Sequence, residues 1–235
     1  MSWVLRTLLI LSISILSVIG SARAQDEERE GGIVGTGIKP AGLLGVITGL
    51  GSILINGQRV VFDDTLQVQS PLGARTAKSL VPGETVVVEA NPFGEGLNTW
   101  RALRIQHYVP LVGPLQRNSA GVPTVLGSQI IITDQTETVG FSDLPADGNW
   151  VAINGLWRSD SVVASRMEII DPIKEASITG SFSFDPKTGV QSIGGTVLLG
   201  ARLENAVDGD LLLVSGRVLD GGIEPSLVRK GLFRN

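Results

Sequence analysis

The sequence predicts an all-β chain: three tandem small OB-like antiparallel β-barrels after a cleaved signal peptide. Three observations predict this. A turn-and-strand pattern occurs as Pro82-Gly83-Glu84-Thr85-Val86-Val87-Val88, as Asp147-Gly148-Asn149-Trp150-Val151-Ala152-Ile153 and as Asp208-Gly209-Asp210-Leu211-Leu212-Leu213-Val214. The spacing of Gly83, Gly148 and Gly209 is 65 and then 61 residues, a period that marks tandem supersecondary units. Apolar residues fall in short runs and alternations, and no segment carries a capped apolar stripe of helical spacing. Each unit holds about five such runs with glycines at the bends, enough to close a small barrel.

Residues 1–24 read as a signal peptide. Arg6 supplies the positive start, an apolar stretch follows from Thr7 to Gly20, and Ala22-Arg23-Ala24 is an A-x-A cleavage site. The apolar stretch falls short of the roughly 20 residues of a membrane span. The expectation is a periplasmic or secreted protein with no integral membrane span after cleavage. No cysteine follows the stretch to take a lipid. Residues 25–41 read as a flexible lead-in, acidic at Gln25-Asp26-Glu27-Glu28-Arg29-Glu30 and glycine-rich after it.

Three units follow, at 42–110, 111–172 and 173–235, with Pro110 and Pro172 closing the first two because proline ends strand pairing. In the first, Asn56-Gly57 between apolar runs predicts a hairpin of residues 53–55 with 59–62, since both turn positions tolerate positive φ. A short helix or turn is expected within 72–80. In the second, strands are expected at 113–117, 124–126 and 129–133, with a turn at Gly127-Ser128. In the third, Asp185-Pro186-Lys187-Thr188-Gly189 and Gly194-Gly195 are the turns. The closing strands are placed at 102–108, 164–170 and 227–233. Asn154-Gly155 is read as the turn of the second unit's last hairpin.

At the first unit the residues carry a resemblance. Gly35-Thr36-Gly37-Ile38, followed by GVITGLGSILINGQRV at 45–60, resembles an exported bacterial family catalogued as domain of unknown function 5666. Its members typically carry a GTGI lead-in and a GxITGFGSIxVNGxR stretch. The likeness is specific over about 30 residues there, and a pattern of turns and strands elsewhere; Leu50 stands where the family has an aromatic. The resemblance implies an envelope β protein and carries over no catalytic residue.

Composition narrows the chemistry. The chain has no cysteine and one histidine, and its net charge is −4. Thiol catalysis, thiolate metal sites and two-histidine metal sites are excluded. Negative charge without a basic stripe opposes the phosphate contacts of nucleic-acid binding. No cofactor, metal ligand set or catalytic residue is expected. The glycines of residues 32–37 precede no helix, which a dinucleotide site requires. His107, at a strand end beside Tyr108, is the only histidine a Ser-His-Asp triad can use, and no G-x-S-x-G accompanies it. Glu84, Asp147, Asp208 and Asp210 are read as turn residues rather than paired catalytic acids.

The expected function is a non-enzymatic binding or scaffold module for an envelope protein or glycan. The candidate ligand-binding residues are Trp100, Trp150 and Trp157. Trp150 and Trp157 are placed either in one groove, stacking on a sugar, or at barrel ends and unit junctions. A hydrolase using paired carboxylates is the remaining alternative.

Overall fold

In the computed structural model the described residues are 40–49, 51–94 and 98–231. The expected signal peptide and nearly all of the lead-in lie outside them. The described chain is all-β, with one short 3-10 turn at Ala77–Ser79 inside the segment expected to be helix or turn. Among the described residues no helix is long and apolar enough to cross a membrane.

The first ring of strands comprises β1 (Ala41–Val46), β2 (Ile53–Ile55), β3 (Gln58–Val61), β4 (Gln67–Gln69), β5 (Arg75–Thr76), β6 (Thr85–Pro92) and β7 (Thr99–His107). β1 pairs β6, β6 pairs β7 and β2 pairs β3, all antiparallel, while β3 runs parallel to β7. A bridge from Ile47 to Ile55 returns the path to its start, so five strands close a barrel. β4 lies parallel against β7 and carries β5 on its other edge. Alternation along these strands sends Ile47, Ile53, Ile55, Val60, Val86, Val88 and Ile105 into one core.

The second ring comprises β8 (Leu111–Arg117), β9 (Pro123–Val125), β10 (Ser128–Ile131), β11 (Glu137–Val139), β12 (Trp150–Arg158) and β13 (Ser161–Ile169). β8 pairs β9, β9 pairs β10, β12 pairs β13 and β12 pairs β8, all antiparallel, with β10 parallel to β13. The third comprises β14 (Ala176–Phe184), β15 (Gln191–Ile193), β16 (Thr196–Leu198), β17 (Leu211–Leu219) and β18 (Gly222–Lys230). Its pairings return to β14 in the same order, with β16 parallel to β18. β14 also pairs β8 through Ser177 with Val112 and Ile178 with Leu111, so the second and third rings share one sheet.

The shared glycine turn has one job in all three rings. The amide of Gly83, Gly148 or Gly209 donates to the carbonyl of Ile47, Leu115 or Phe182 near the end of the ring's first strand. The following residue ties its own turn together. Glu84 Oε2 accepts the Val81 amide at 3.0 Å and Asp210 Oδ2 accepts the Val207 amide at 2.9 Å, while Asn149 Nδ2 donates to the Ala146 carbonyl at 2.9 Å.

Two turns differ from expectation. Asn154-Gly155 is not a turn: β12 runs through it with a bulge, and the chain reverses at Ser159-Asp160, where Ser159 has φ 58°. A Cβ on Gly155 would collide with the Val163 carbonyl, so glycine there serves the close approach of β13. The turn expected at Gly127-Ser128 lies one residue earlier. Leu126 and Gly127 have φ 55° and 87°, the doubly positive pair of a tight hairpin, as do Asn56 and Gly57 at 50° and 76°. The closing strands begin earlier than expected, at Thr99, Ser161 and Gly222.

Candidate functional site

Where the first ring meets the second, the end of β7 and the start of β6 face the middle of β12. His107 and Asn154 are each 1% exposed and Glu84 is 4% exposed. The hydrogen bonds assign the tautomer. Asn154 Oδ1 accepts the Thr85 amide at 3.2 Å, so His107 Nε2, 2.7 Å from the same oxygen, carries the proton and donates. Nδ1 is then the acceptor, with the Ser70 hydroxyl at 3.1 Å and Arg75 Nη1 at 3.3 Å. Arg75 grips Glu84 with both arms, at 2.8 and 3.2 Å. Burial pushes the His107 imidazole below its ordinary pKa; Glu84 and the Asn154 hydrogen bond oppose that, and the nearby Arg75 and Arg166 cations add to it. Ser165 Oγ, donating to the Gly83 carbonyl at 2.6 Å, completes the seam.

Ser70, His107 and Glu84 are the residue types of a nucleophilic triad, but their arrangement opposes that chemistry. A proton taken from Ser70 would reach Nδ1, directly against the Arg75 guanidinium. A general base needs the opposite, a carboxylate that stabilises the forming imidazolium. Here Glu84 is 3.9 Å from Nε2 and held by Arg75. The arrangement suits a neutral histidine clamped between two rings.

The three tryptophans do not converge. Trp100 packs on the first core and donates to Gln58 Oε1 at 2.8 Å. Trp150 and Trp157 stand at opposite ends of β12, about 23 Å apart at 3.3 Å per residue, too far to share one sugar ring. Trp157 lies over Gly180 and Gly194 of the third ring, where any Cβ would meet its indole, and its Nε1 donates to the Thr179 carbonyl at 2.7 Å. Trp150 packs against the core shared by the second and third rings.

The first and third rings leave a cleft between them of about 480 Å³, within the range of small-ligand sites. One wall is the segment from Val68 to Ala74, the end of β4 and the turn after it. The other is the outer face of β14, β17 and β18, presenting Leu213, Leu227 and Arg229, and Ile173 and Glu175 close one end. Gln106 and Ser177, 6% and 3% exposed, belong to its lining. Gln106 Oε1 and Ser177 Oγ are covered and have no hydrogen-bond partner. A buried polar atom without a partner costs about 1–3 kcal/mol, and two of the four such atoms among the described residues lie at this cleft. The Ser70 hydroxyl lies on the same lining and reaches His107. Sequence reasoning did not single out Gln106, Ser177 or Arg75 and read Asn154 only as a turn residue, because their roles depend on contacts between residues distant in sequence or in different rings.

Among the described residues, no group of three histidine, aspartate or glutamate side chains could hold a metal ion. Neither the curated proteins nor the solved structures contain a match to the chain. The family relation falls in a different place from the resemblance at residues 35–60. It covers the second ring from β8 to β13, whose β10–β13 parallel closure and bulged β12 are described above. Residues 112–168 match the family model described as Domain of unknown function (DUF5666).

Proposed function

We propose that the protein is a non-enzymatic, exported binding or scaffold module of three tandem OB-like barrels, serving envelope partners. The barrel reading draws on the strand order. Once β4, β5 and β11 are set aside, in each ring the first strand pairs the fourth and the third runs parallel to the fifth; the first also pairs the second in the second and third rings, and in the first ring the Ile47–Ile55 bridge makes that link. The exported address rests on the sequence pattern of residues 1–24. The observation that carries a binding role is the cleft between the first and third rings, with its two partnerless oxygens at Gln106 and Ser177. A glycan role for Trp100, Trp150 and Trp157 draws less support, because two of the three indole N–H groups are already used inside the protein. The neutral, guanidinium-flanked His107 supports a non-enzymatic reading.

Ligand binding to the folded state raises the melting temperature by mass action. Thermal shift of the full chain with amino acids, short peptides and neutral oligosaccharides is expected to give a saturable rise with one class. The rise should disappear in Ala74→Trp, whose indole fills the cleft. A rise retained in Ala74→Trp, or none with any class, overturns the reading.

A further inference from the structure

We propose that the cleft between the first and third rings binds a short extended peptide with a free C-terminal carboxylate. This rests on the cleft being a binding site and names its ligand class. The lining is the first argument. Val68, Pro71, Ala74, Leu213 and Leu227 offer aliphatic surface, which suits side chains of modest size. No aromatic ring lines the cleft, so the stacking that holds a sugar or a base is missing.

The polar groups are the second argument. Gln69 and Gln106 are register partners on adjacent strands, so two carboxamides lie side by side at the wall. Each offers one acceptor and an amide donor, matching the single donor and single acceptor of a peptide group. Gln106 Oε1 accepts only, and it has no partner; a backbone N–H supplies one. Ser177 Oγ can accept the next N–H or donate to a carbonyl. Both oxygens are covered in the structure, so a ligand reaches them after a side-chain rotation.

Charge gives the orientation. The Arg229 side chain makes no hydrogen bond or ion pair with any described residue, and it lines the cleft on β18. Glu175, its side chain also without a partner among the described residues, stands at the other end. Arg229 is level with Leu213 and Thr179 across the sheet, four residues beyond Glu175 along β14. That offset is about 13 Å along the strands, the length of roughly four extended residues. A carboxylate at Arg229 places an amino terminus toward Glu175. One guanidinium opposite one carboxylate does not suit a polyphosphate, which needs several cations.

The test is calorimetric titration of the full chain with tetra-alanine, its C-terminal amide and an uncharged tetrasaccharide. Tetra-alanine is expected to bind about tenfold more tightly than the amide, the worth of one charge-assisted hydrogen bond. Arg229→Gln should erase that difference and leave the affinity for the amide unchanged. Gln106→Leu should weaken both peptides while raising the melting temperature, because it removes a partnerless oxygen. Equal affinity for acid and amide, or an unchanged preference in Arg229→Gln, overturns the proposal. Binding of the tetrasaccharide alone overturns the peptide assignment and leaves the binding site standing. No binding by any probe, with Gln106→Leu simply more stable, overturns both.

Discussion

The two junctions along the chain are made of opposite materials. Between the second and third rings the sheet itself crosses from β8 to β14, and one apolar cluster runs from Leu111 and Met167 to Ile178 and Val214. Trp157 seals it against two glycines. Between the first and second rings no strand pairing crosses among the described residues. The first core, around Ile47, Val60 and Ile105, is separate. The contact there is a small apolar patch of Val109, Val112 and Ala152 beside the His107–Asn154–Glu84–Arg75 network. Apolar surface is non-directional and insensitive to acid, whereas hydrogen-bonded charge depends on geometry and protonation. The second and third rings should therefore unfold as one body, with the first joined to them by a seam that responds to pH.

Three measurements sharpen that contrast. Trp157→Ala empties the apolar junction and should cost about 3–5 kcal/mol in urea unfolding. The loss should appear in the transition of the second and third rings together; a loss confined to one of them would break the idea of a shared core. Asn154→Ala strands the Thr85 amide and the His107 Nε2 proton, a cost of about 2 kcal/mol. Hydrogen exchange should then rise at the start of β6 and the end of β7 before it rises around Ile178. Uniform exchange across all three rings would contradict a separable seam.

The smallest effect is that of pH. His107 titrates below its ordinary value because it is buried, so the unfolded chain binds the proton more readily than the folded one. Its contribution is complete above the unfolded pKa of about 6.5 and is lost as pH falls from there through the folded value, at no more than about 1.4 kcal/mol per pH unit. The groups facing it are Glu84, Arg75, Arg166, Ser70 and Asn154. His107→Gln should flatten this part of the stability profile. An equally steep decline in the variant would assign it to other groups.

Legibility in the sequence followed the range of the interaction. Asn56-Gly57 announced its hairpin because the two residues alone determine the turn, and the glycine turns at Gly83, Gly148 and Gly209 are local in the same way. Asn154-Gly155 has the same chemistry and misled. Whether such a pair reverses the chain or bulges a strand depends on β13 and the first ring, and Asn154 is held by Thr85, 69 residues away. Glu84 was read as a turn residue, and it does close its turn, but its pairing with Arg75 and its burial near His107 come from packing. The cleft was invisible because its walls come from chain segments about 70 residues apart or more, which no local pattern joins.

The closure of each ring on its own first strand has one more consequence. A chain this rich in Val, Ile and Leu strands would be an aggregation hazard if it displayed a long unpaired edge. Among the described residues, β1 and β2 pair one strand each and meet through the single Ile47–Ile55 bridge, and the other strands with a single neighbour are β5 and β11, of two and three residues. Neither is long enough to template a foreign strand. The architecture that frames the cleft therefore also leaves little unpaired backbone, outside β1 and β2, for a foreign strand to extend.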